Sequence, residues 1–529
     1  MPEFNIHLSS IDIAILLFYF LFVMGLGIYL GRKYEDSEDY FLAGRSMTWP
    51  FIGLSLFASN ISSTTLIGLA GEAYGSGISV FNYEWMAAVV LVFFAIFILP
   101  FVLRSRVYTM PEFLERRFDG RARVYFSALT IFLNIFVDTA GSLFAGALVI
   151  QMVFPDIAIW QTIALLAVVA GVYTITGGLA AVIYTDAIQA ILLLVGSLII
   201  TIVAYDRIGG WDNVIARVSP DKLSLIRPLG DPGVPWLGLL VGVPLLGFYF
   251  WCTNQFMVQR VLSAKDVNHG RWGSLFAGAL KLPVLFIMVL PGIFAILLYP
   301  DLPRADLVYP TLLFDLLPAG LLGLVLAGFI AALMSQIDST LNSASTLVTM
   351  DFISKFHPDI SSHRLLTIGR YITFIIMILA VLWAPQIENF SSLFKYLQKV
   401  LAYAIPPVVT LFLIGSFWKR PHANAAFSMI IIGNIASAIL FFAIEVFEVM
   451  PLHFLYVPPI LFLFCSLLLI TFSLMTPDET NEKSDALVWT KAIYDAETIE
   501  LKTYVWYKNY RILSVLLLTA TAAIVISFW

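Results

Sequence analysis

The chain has 529 residues, of which 60% are hydrophobic and only 12% are charged, and its mean hydropathy is +0.90. Soluble domains are about 45–50% apolar and about 25% charged, so this composition excludes an ordinary soluble protein. The mild net charge of −5 argues against nucleic acid as a partner. Cys252 and Cys465 lie in apolar segments without metal-site spacing, and they imply no disulfide framework.

Repeated apolar runs of about 20 residues predict an all-α polytopic membrane protein with about fourteen transmembrane helices. The predicted spans are 11–30, 47–72, 79–103, 122–153, 158–176, 179–205, 235–262, 271–298, 312–350, 366–386, 389–416, 422–445, 453–475 and 512–529. The first run lacks the basic start of a signal peptide and is expected to be retained as a helix. Pro406-Pro407 predicts a kink in the eleventh span.

Lys and Arg are distributed unevenly over the predicted loops. If the N-terminus is extracytoplasmic, the inside loops hold most of them, including six arginines between residues 104 and 123, whereas four aspartates match the basic residues of the 206–235 loop. The positive-inside rule therefore predicts a multi-pass protein of the cytoplasmic (inner) membrane with both termini extracytoplasmic. Segment 476–511 is then a cytoplasmic linker, either partly helical at the surface or a disordered tether.

Residues 58–68 carry an unusual concentration of polar side chains inside an apolar segment. Six of the eight residues from Ser59 to Leu66 are polar. At membrane depth such groups must find partners within the protein. The pattern predicts that the helix breaks here, and that the freed carbonyls and the hydroxyls bind an ion and a solute.

The predicted spans place five ionisable residues at membrane depth: Glu84, Asp138, Asp186, Lys281 and Asp338. Each is costly there unless it is paired, hydrated or bound to a ligand. Four acids against one base leave an excess of negative charge, which favours a bound cation. The alternatives are that some acids are protonated, or that Glu84 and Asp186 reach the membrane interfaces.

Two further stretches combine polar groups in ways that suit binding. Helical periodicity places Ser335, Asp338, Ser339 and Asn342 on one stripe, and such oxygens suit a hard cation such as sodium. Residues 247–260 place aromatic side chains before amides, a combination that suits a sugar ring. Helix packing is the alternative interpretation of both stretches.

Several motifs taken together resemble those of one transporter family. They are Asn60-Ile61-Ser62, Tyr83-Glu84-Trp85, Gly177-Gly178-Leu179 with Thr185-Asp186, Asn254-Gln255 with Gln259-Arg260, Leu341-Asn342-Ser343-Ala344-Ser345-Thr346 with Met350-Asp351, and Phe417-Trp418-Lys419-Arg420. The chain resembles the sodium/solute symporter family from about residue 10 to its C-terminus. Within that family it resembles the bacterial sodium/sugar (glucose/galactose) cotransporter branch.

The resemblance implies a five-plus-five inverted repeat with broken first helices and extra flanking helices. The expected organisation is an N-terminal extra helix and cytoplasmic loop (1–46), the first repeat (47–205), an extracytoplasmic loop (206–234), the second repeat (235–416), and C-terminal extra helices with the cytoplasmic linker 476–511 (417–529).

The resemblance also implies site residues by position. The sodium-binding set is Ala58, Ile61, Ala332, Ser335, Gln336, Asp186, Asp338 and Ser339. The substrate-binding set is Asn60, Ser62, Thr64, Tyr83, Glu84, Asp138, Lys281 and Gln398, and the inner gate is Phe250 with Trp251. Gln336 stands where the family usually has a second hydroxyl, and Asp338 stands where it usually has a small residue or a hydroxyl. No catalytic residue is implied, and sodium is the only metal expected.

These features predict sodium-coupled secondary active uptake of a monosaccharide by alternating access. The expected partners are sodium, a small-molecule solute and the lipid bilayer, and no protein partner is implied. The first alternative keeps the fold and the coupling but changes the solute to sialic acid, inositol, or an amino or organic acid. An enzyme is disfavoured because no His, Cys/His or Ser/His arrangement lies at depth, and a sensor would need an attached signalling domain.

Overall fold

The computed structural model describes residues 8–31, 37–154, 156–357, 359–390, 393–476 and 482–529. Within these ranges the chain forms helices and no strand; isolated bridges join Met47 to Ala264 and Arg227 to Pro235. The prediction of an all-α protein is therefore confirmed.

The helices of the first half are α1 (Ser10–Gly31), α2 (Ser37–Leu42), α3 (Trp49–Asn60), α4 (Ser63–Ser76), α5 (Phe81–Phe93), α6 (Leu99–Arg104), α7 (Met110–Arg117), α8 (Gly120–Leu133), α9 (Ala140–Val153), α10 (Ile159–Arg207) and α11 (Trp211–Arg217). Those of the second half are α12 (Trp236–Val241), α13 (Val243–Phe248), α14 (Gln255–Leu262), α15 (Val267–Lys281), α16 (Leu290–Leu298), α17 (Val308–Leu316), α18 (Leu321–Leu347), α19 (Ser354–Phe356), α20 (Ser362–Trp383), α21 (Leu393–Ala404), α22 (Pro406–Phe417), α23 (Ala423–Phe441), α24 (Val457–Met475), α25 (Glu482–Asp485), α26 (Lys491–Leu501) and α27 (Tyr510–Ser527). Turns of π-helix occur at Phe94–Ile98, Asn134–Thr139, Tyr249–Thr253, Leu285–Val289, Val348–Ile353 and Phe442–Val446.

The described helices give between nine and twelve candidate membrane spans. Nine are long and apolar enough alone, and three more arise if the bent pairs α3–α4, α15–α16 and α21–α22 each form one span. The α21–α22 pair bends by 54° at Pro406, as the proline pair predicts. Two shorter apolar helical segments, Ser10–Val23 and Ile159–Val168, coincide with the remaining two predicted spans. The count of fourteen stays a prediction.

The chain breaks sharply between α3 and α4, and the two helices meet at 58°. Ile61 (φ −83°, ψ 76°) and Ser62 (φ −87°, ψ 177°) leave the helical conformation. Ser62 then caps α4, because its hydroxyl accepts from the amide of Thr65 at 3.3 Å. The Thr65 hydroxyl in turn donates to the Asn60 carbonyl at 2.7 Å. The break predicted from the polar residues is thus present, and its own hydroxyls stabilise it.

A second break separates the π-helical turn Tyr249–Thr253 from α14. Asn254 is extended (φ −62°, ψ 126°), and its side chain caps α14 by accepting from the amide of Phe256. Met47, just before α3, is hydrogen-bonded to the residues just after α14. Its amide donates to the Ser263 carbonyl, and its carbonyl accepts from the Lys265 amide, each at 3.0 Å. The two broken helices are therefore tied together at one end.

Two predicted span boundaries differ in the structure. Helix α10 runs unbroken through Gly177-Gly178, where two spans were expected to meet. Its 49 residues correspond to about 74 Å of helix, which far exceeds the hydrocarbon core of a bilayer. The predicted span 312–350 instead begins at Leu321, because Gly320 adopts a left-handed conformation (φ +86°) that separates α17 from α18. Asp12 caps α18 by accepting from the amides of Gly320 and Gly323.

The loops predicted to be cytoplasmic meet at one end of the molecule. Arg117 donates to four backbone carbonyls in the last turn of α22 and just after this helix. It also donates to the hydroxyl of Ser484. Helix α26 docks through Glu497, which pairs with Arg271 at 2.9 Å, Arg104 at 3.4 Å and Arg511 at 3.9 Å. The described part of the linker is therefore a docked helical segment rather than a tether; residues 477–481 lie outside the described ranges.

Candidate functional site

A central cavity lies where the two helix breaks come together. It has a volume of about 120 Å³, enough for several waters at about 10–15 Å³ each. Its lining comes from both breaks and from the helices around them: Asn60, Ser62, Thr64, Thr65, Tyr83, Glu84, Ala87, Val137, Asp138, Leu246, Gly247, Phe250, Trp251, Gln336, Phe394, Leu397, Gln398 and Leu401. Seven of the eight predicted substrate-binding residues and both predicted gate residues are among them.

Lys281, the eighth, lies directly behind the cavity wall. Its ammonium group donates to Oε2 of Glu84 at 2.6 Å and also to the side-chain oxygen of Asn60. It is completely buried, and it lies 5.4 Å from the ring centroid of Trp251. A buried lysine is tolerated when an acid neutralises it. The Lys281–Glu84 pair therefore holds in place both Glu84 and Asn60, the last residue before the α3–α4 break.

Asp138 is placed on a different wall of the cavity. It belongs to the π-helical turn Asn134–Thr139, which inserts one extra residue per turn and so redirects the side chains that follow. The hydroxyls of Thr139 and Thr340 lie 2.7 Å apart and join this turn to α18. Among the described residues Asp138 has no ion-pair partner, so it leaves one carboxyl group facing the cavity.

Aromatic side chains close the cavity on two sides. The rings of Phe250 and Trp251 meet edge to face at 5.4 Å, and those of Tyr83 and Phe394 do so at 5.3 Å. Phe394 also packs on Gly68, where a Cβ would come within 3.1 Å of its ring. The sequence patterns did not single out Phe394, because nothing in the apolar face of α21 distinguishes it.

A second polar cluster surrounds Asp186, where four elements meet. Asp186 of α10 accepts from Ser335 of α18 at 2.5 Å, from Ser59 of α3 at 3.3 Å, and from Ser55. Ser339 of α18 lies 3.3 Å from Ser59. All five side chains are buried. Three residues of the predicted sodium-binding set, Asp186, Ser335 and Ser339, are therefore brought together.

The guanidinium of Arg260, on α14, places a positive charge within this cluster. It donates to Asp186 at 3.1 Å, to Ser55 at 2.8 Å and to Ser339. Arg260 belongs to the Gln259-Arg260 motif but is not among the charges predicted at membrane depth. Its role becomes visible only in three dimensions, because its acid partner lies 74 residues earlier in the chain.

The other predicted sodium ligands lie on α3, immediately after it, or on α18, and these two helices are in contact. Ala58, Ile61 and Ala332 are completely buried. Helix α3 ends at Asn60, so the carbonyls of its last turn lose the amide donors of a continuing helix. The amide of Ile61 donates to the Phe57 carbonyl, and the hydroxyl of Thr65 donates to the Asn60 carbonyl. Ala58 lies between Phe57 and Asn60 in the chain. Carbonyl and hydroxyl oxygens of this kind are the ligands that hard cations prefer.

The family model described as "Sodium:solute symporter family" matches residues 40–433. The chain belongs to the sodium:solute symporter family. It is 37% identical to the human sodium/myo-inositol cotransporter, over 92% of this chain and 76% of the relative. It is 34% identical to the rabbit (Oryctolagus cuniculus) sodium/glucose cotransporter 1, over 93% of this chain and 83% of the relative.

A solved structure of a Na⁺-coupled sialic acid symporter, in a substrate-bound outward-open state, has the same fold. It superimposes with a TM-score of 0.78 over 89% of this chain and 99% of its own, at 22% identity. The protein is thus a sodium-coupled solute symporter and a multi-pass membrane transporter rather than an enzyme. The family resemblance seen in the motifs is confirmed.

Two predicted sodium-binding residues, Asp338 and Gln336, were expected to differ from the residues usual in the family, and they lie in different surroundings. Asp338 is buried near the Asp186 cluster, at 1% exposure on the helix that carries Ser335 and Ser339. Gln336 lines the central cavity together with the predicted substrate residues. One helix of this symporter therefore presents polar groups to both regions.

Proposed function

We propose that this symporter couples inward sodium flow to uptake of a monosaccharide. The observation that carries the proposal is the contact of Lys281 with both Asn60 and Glu84 at the wall of the central cavity. This contact fixes hydrogen-bonding groups beside the ring of Trp251. A sugar-binding site needs such a combination of polar contacts and an apolar face.

The charge of the cavity supports a neutral solute over an anion. Glu84 and Lys281 neutralise each other, so an ionised Asp138 would leave the cavity with an excess of one negative charge. Two like charges 4 Å apart repel by about 4 kcal/mol at the effective dielectric of a protein surface. Sialic acid and organic acids would meet this repulsion, whereas the hydroxyls of a sugar can donate hydrogen bonds to the same carboxylate.

The proposed main sodium site uses the backbone oxygens of Ala58, Ile61 and Ala332 and the hydroxyl of Ser335. Sodium bound there would hold the α3–α4 break against α18. Asn60, Ser62 and Thr64 on the same break would then be held in position for the solute, so each ligand would strengthen the binding of the other. A second sodium site is proposed at Asp186, Asp338 and Ser339 with Ser335.

Transport is proposed to proceed by alternating access across the cytoplasmic membrane, with both termini extracytoplasmic. Phe250 and Trp251 form the inner gate of the cavity, and Tyr83 with Phe394 closes another side. Each sodium ion that moves inward releases about 2.3 kcal/mol of free energy per 100 mV of membrane potential. This free energy, together with the sodium gradient, drives accumulation of the solute.

A cyclitol is the second candidate solute. The observation that favours it is the 37% identity to a sodium/myo-inositol cotransporter. A cyclitol and a pyranose have similar ring size and hydroxyl density, so the same cavity groups could contact both. The two differ in the ring oxygen and in the exocyclic CH₂OH, which a competition assay resolves.

The test is uptake of labelled solutes into proteoliposomes with an inward sodium gradient. The panel contains glucose, galactose, myo-inositol, sialic acid, an amino acid and a dicarboxylate. We expect sodium-dependent accumulation of a hexose, and none when potassium replaces sodium on the outside. Sodium-driven uptake of an anion or an amino acid, without any hexose or cyclitol uptake, would contradict the proposal. Lys281→Met serves as the inactive control.

A further inference from the structure

Helix α18 reaches the central cavity through one described residue, Gln336. Its neighbour Ser335 points elsewhere and donates to Asp186 at 2.5 Å. Consecutive residues of an α-helix are about 100° apart, so these two side chains face different surroundings. The polar groups of α18 are thus divided between the Asp186 cluster and the cavity.

The orientation of this part of α18 is fixed by hydrogen bonds to the π-helical turn that carries Asp138. The hydroxyl of Thr340, one helical turn after Gln336, lies 2.7 Å from that of Thr139. Ser343 accepts from the side-chain amide of Asn134 at 3.1 Å. These contacts hold α18 and the π-helical turn together, and each of the two contributes a polar side chain to the cavity lining.

The side-chain amide of Gln336 is suited to a hydroxylated ligand. The residue is 5% exposed, and none of the residues that the structure describes hydrogen-bonds its side-chain amide. The residue lines the cavity, so this amide is open to a ligand there, and it can donate two hydrogen bonds while it accepts others. A ring with neighbouring hydroxyl groups matches this pattern, because each hydroxyl can both donate and accept.

We infer that Gln336 is a specificity-determining residue that hydrogen-bonds the transported solute and is not a sodium ligand. The inference rests on the proposed function of the cavity and names a further contact within it. Ser335 and Gln336 are adjacent in sequence, so a proposed sodium ligand and a solute contact share one turn of α18. A shift of this turn when sodium binds would move the amide relative to the solute.

The test compares Gln336→Leu with the wild type in two measurements. The first is the KM for whichever solute the wild-type protein accumulates, determined at saturating sodium. The second is the sodium concentration that half-maximally raises the melting temperature of the detergent-solubilised protein without solute. We expect Gln336→Leu to raise the KM about tenfold, the effect of losing about 1.4 kcal/mol of hydrogen bonding, and to leave the sodium midpoint within about twofold.

Ser345→Ala is the control, since Ser345 is also buried on α18 but donates to Gly369 and does not line the cavity. We expect it to leave the KM within about twofold. An unchanged KM with a sodium midpoint shifted about tenfold in Gln336→Leu would make Gln336 a sodium ligand and overturn the inference. An equal rise of KM in both variants would also overturn it, because the effect would then come from helix packing. A wild type that accumulates no sugar or cyclitol refutes the proposed function separately, while Gln336 is still judged with the solute that is transported.

Discussion

The guanidinium of Arg260 donates to Asp186 across 3.1 Å, and neither side chain is more than 1% exposed. The pair joins α14, just after the second helix break, to α10, and the serines around it extend the contact to α3 and α18. The broken helices of both halves are therefore joined through one buried charge pair.

Loss of either charge of this pair should destabilise the protein strongly. Removal of one partner leaves the other buried and uncompensated, which costs about 3–5 kcal/mol. We expect Asp186→Asn and Arg260→Gln each to lower the melting temperature in detergent markedly, and the double variant to recover part of the loss. The control is Arg104→Gln, whose side chain is 54% exposed and should change stability little. Additive losses in the double variant would show that the two charges are not coupled.

Ser335→Ala should abolish sodium-dependent uptake. The hydroxyl is both a proposed sodium ligand and a donor to Asp186 at 2.5 Å, and the methyl group of an alanine can do neither. The measurement is initial uptake at increasing sodium concentration in proteoliposomes. Ser345→Ala is the control, because Ser345 is also buried on α18 but donates to Gly369 instead. Unchanged sodium dependence in Ser335→Ala would remove this residue from the sodium site.

Glu84→Gln should impair solute binding while the protein remains folded. The amide keeps a hydrogen bond to Lys281 but removes the neutralising charge, so the lysine would hold Asn60 less well. We expect the KM for solute to rise at least about tenfold, as for loss of a charged hydrogen bond. Glu112→Gln provides a comparison, since Glu112 pairs with Arg116 and does not line the cavity. A KM equal to that of the wild type would exclude Glu84 from the solute site.

Asp138→Asn should widen the range of accepted solutes. The substitution removes the one cavity carboxyl group that has no ion-pair partner among the described residues, but it keeps the size and most hydrogen-bonding capacity of the side chain. We expect neutral solutes to be transported still, and sialic acid or another carboxylate to compete with them more strongly than in the wild type. The measurement is the inhibition constant of the anion against labelled hexose. An inhibition constant that does not change would show that Asp138 does not exclude anions.

Glu497→Gln should release helix α26 from the membrane-embedded helices. Glu497 pairs with Arg271, Arg104 and Arg511 and accepts from Tyr510 at 3.0 Å, so one substitution weakens four contacts. We expect faster hydrogen exchange over residues 486–508 and earlier cleavage by trypsin at Lys491 or Lys502. Glu500→Gln is the control, because Glu500 contacts Tyr504 within its own segment. Equal protection in both variants would mean that other contacts dock the helix.

The helix break after Asn60 could be predicted because its cause is local. Its serines and threonines cap the following helix and satisfy the freed carbonyl of Asn60, and such residues are readable in sequence order. The start of α18 after Gly320 was harder to place, since a left-handed glycine separates two helices without interrupting the apolar pattern. The predicted boundary between the spans 158–176 and 179–205 illustrates the opposite error: the glycine pair there permits a turn, but it does not require one.

The charges at membrane depth could be identified individually, whereas their pairing could not. Glu84 and Lys281 lie 197 residues apart, and only the packing of α15 on α5 brings them together. The burial of Arg260 could not be predicted either, because a basic residue near the end of a predicted span usually extends toward water. The direction of Gln336 depends on the rotation of α18 about its axis, which long-range contacts to the π-helical turn determine.

The late position of Glu497 in the chain has a consequence for biosynthesis. Arg271 and Arg104 are synthesised 226 and 393 residues before this acid. Until Glu497 is made, both arginines lack this acid partner, and positive charges of this kind are the basis of the predicted cytoplasmic side of their loops. The group that allows Arg271 to be buried therefore comes near the end of translation, after the charges on which the predicted orientation rests.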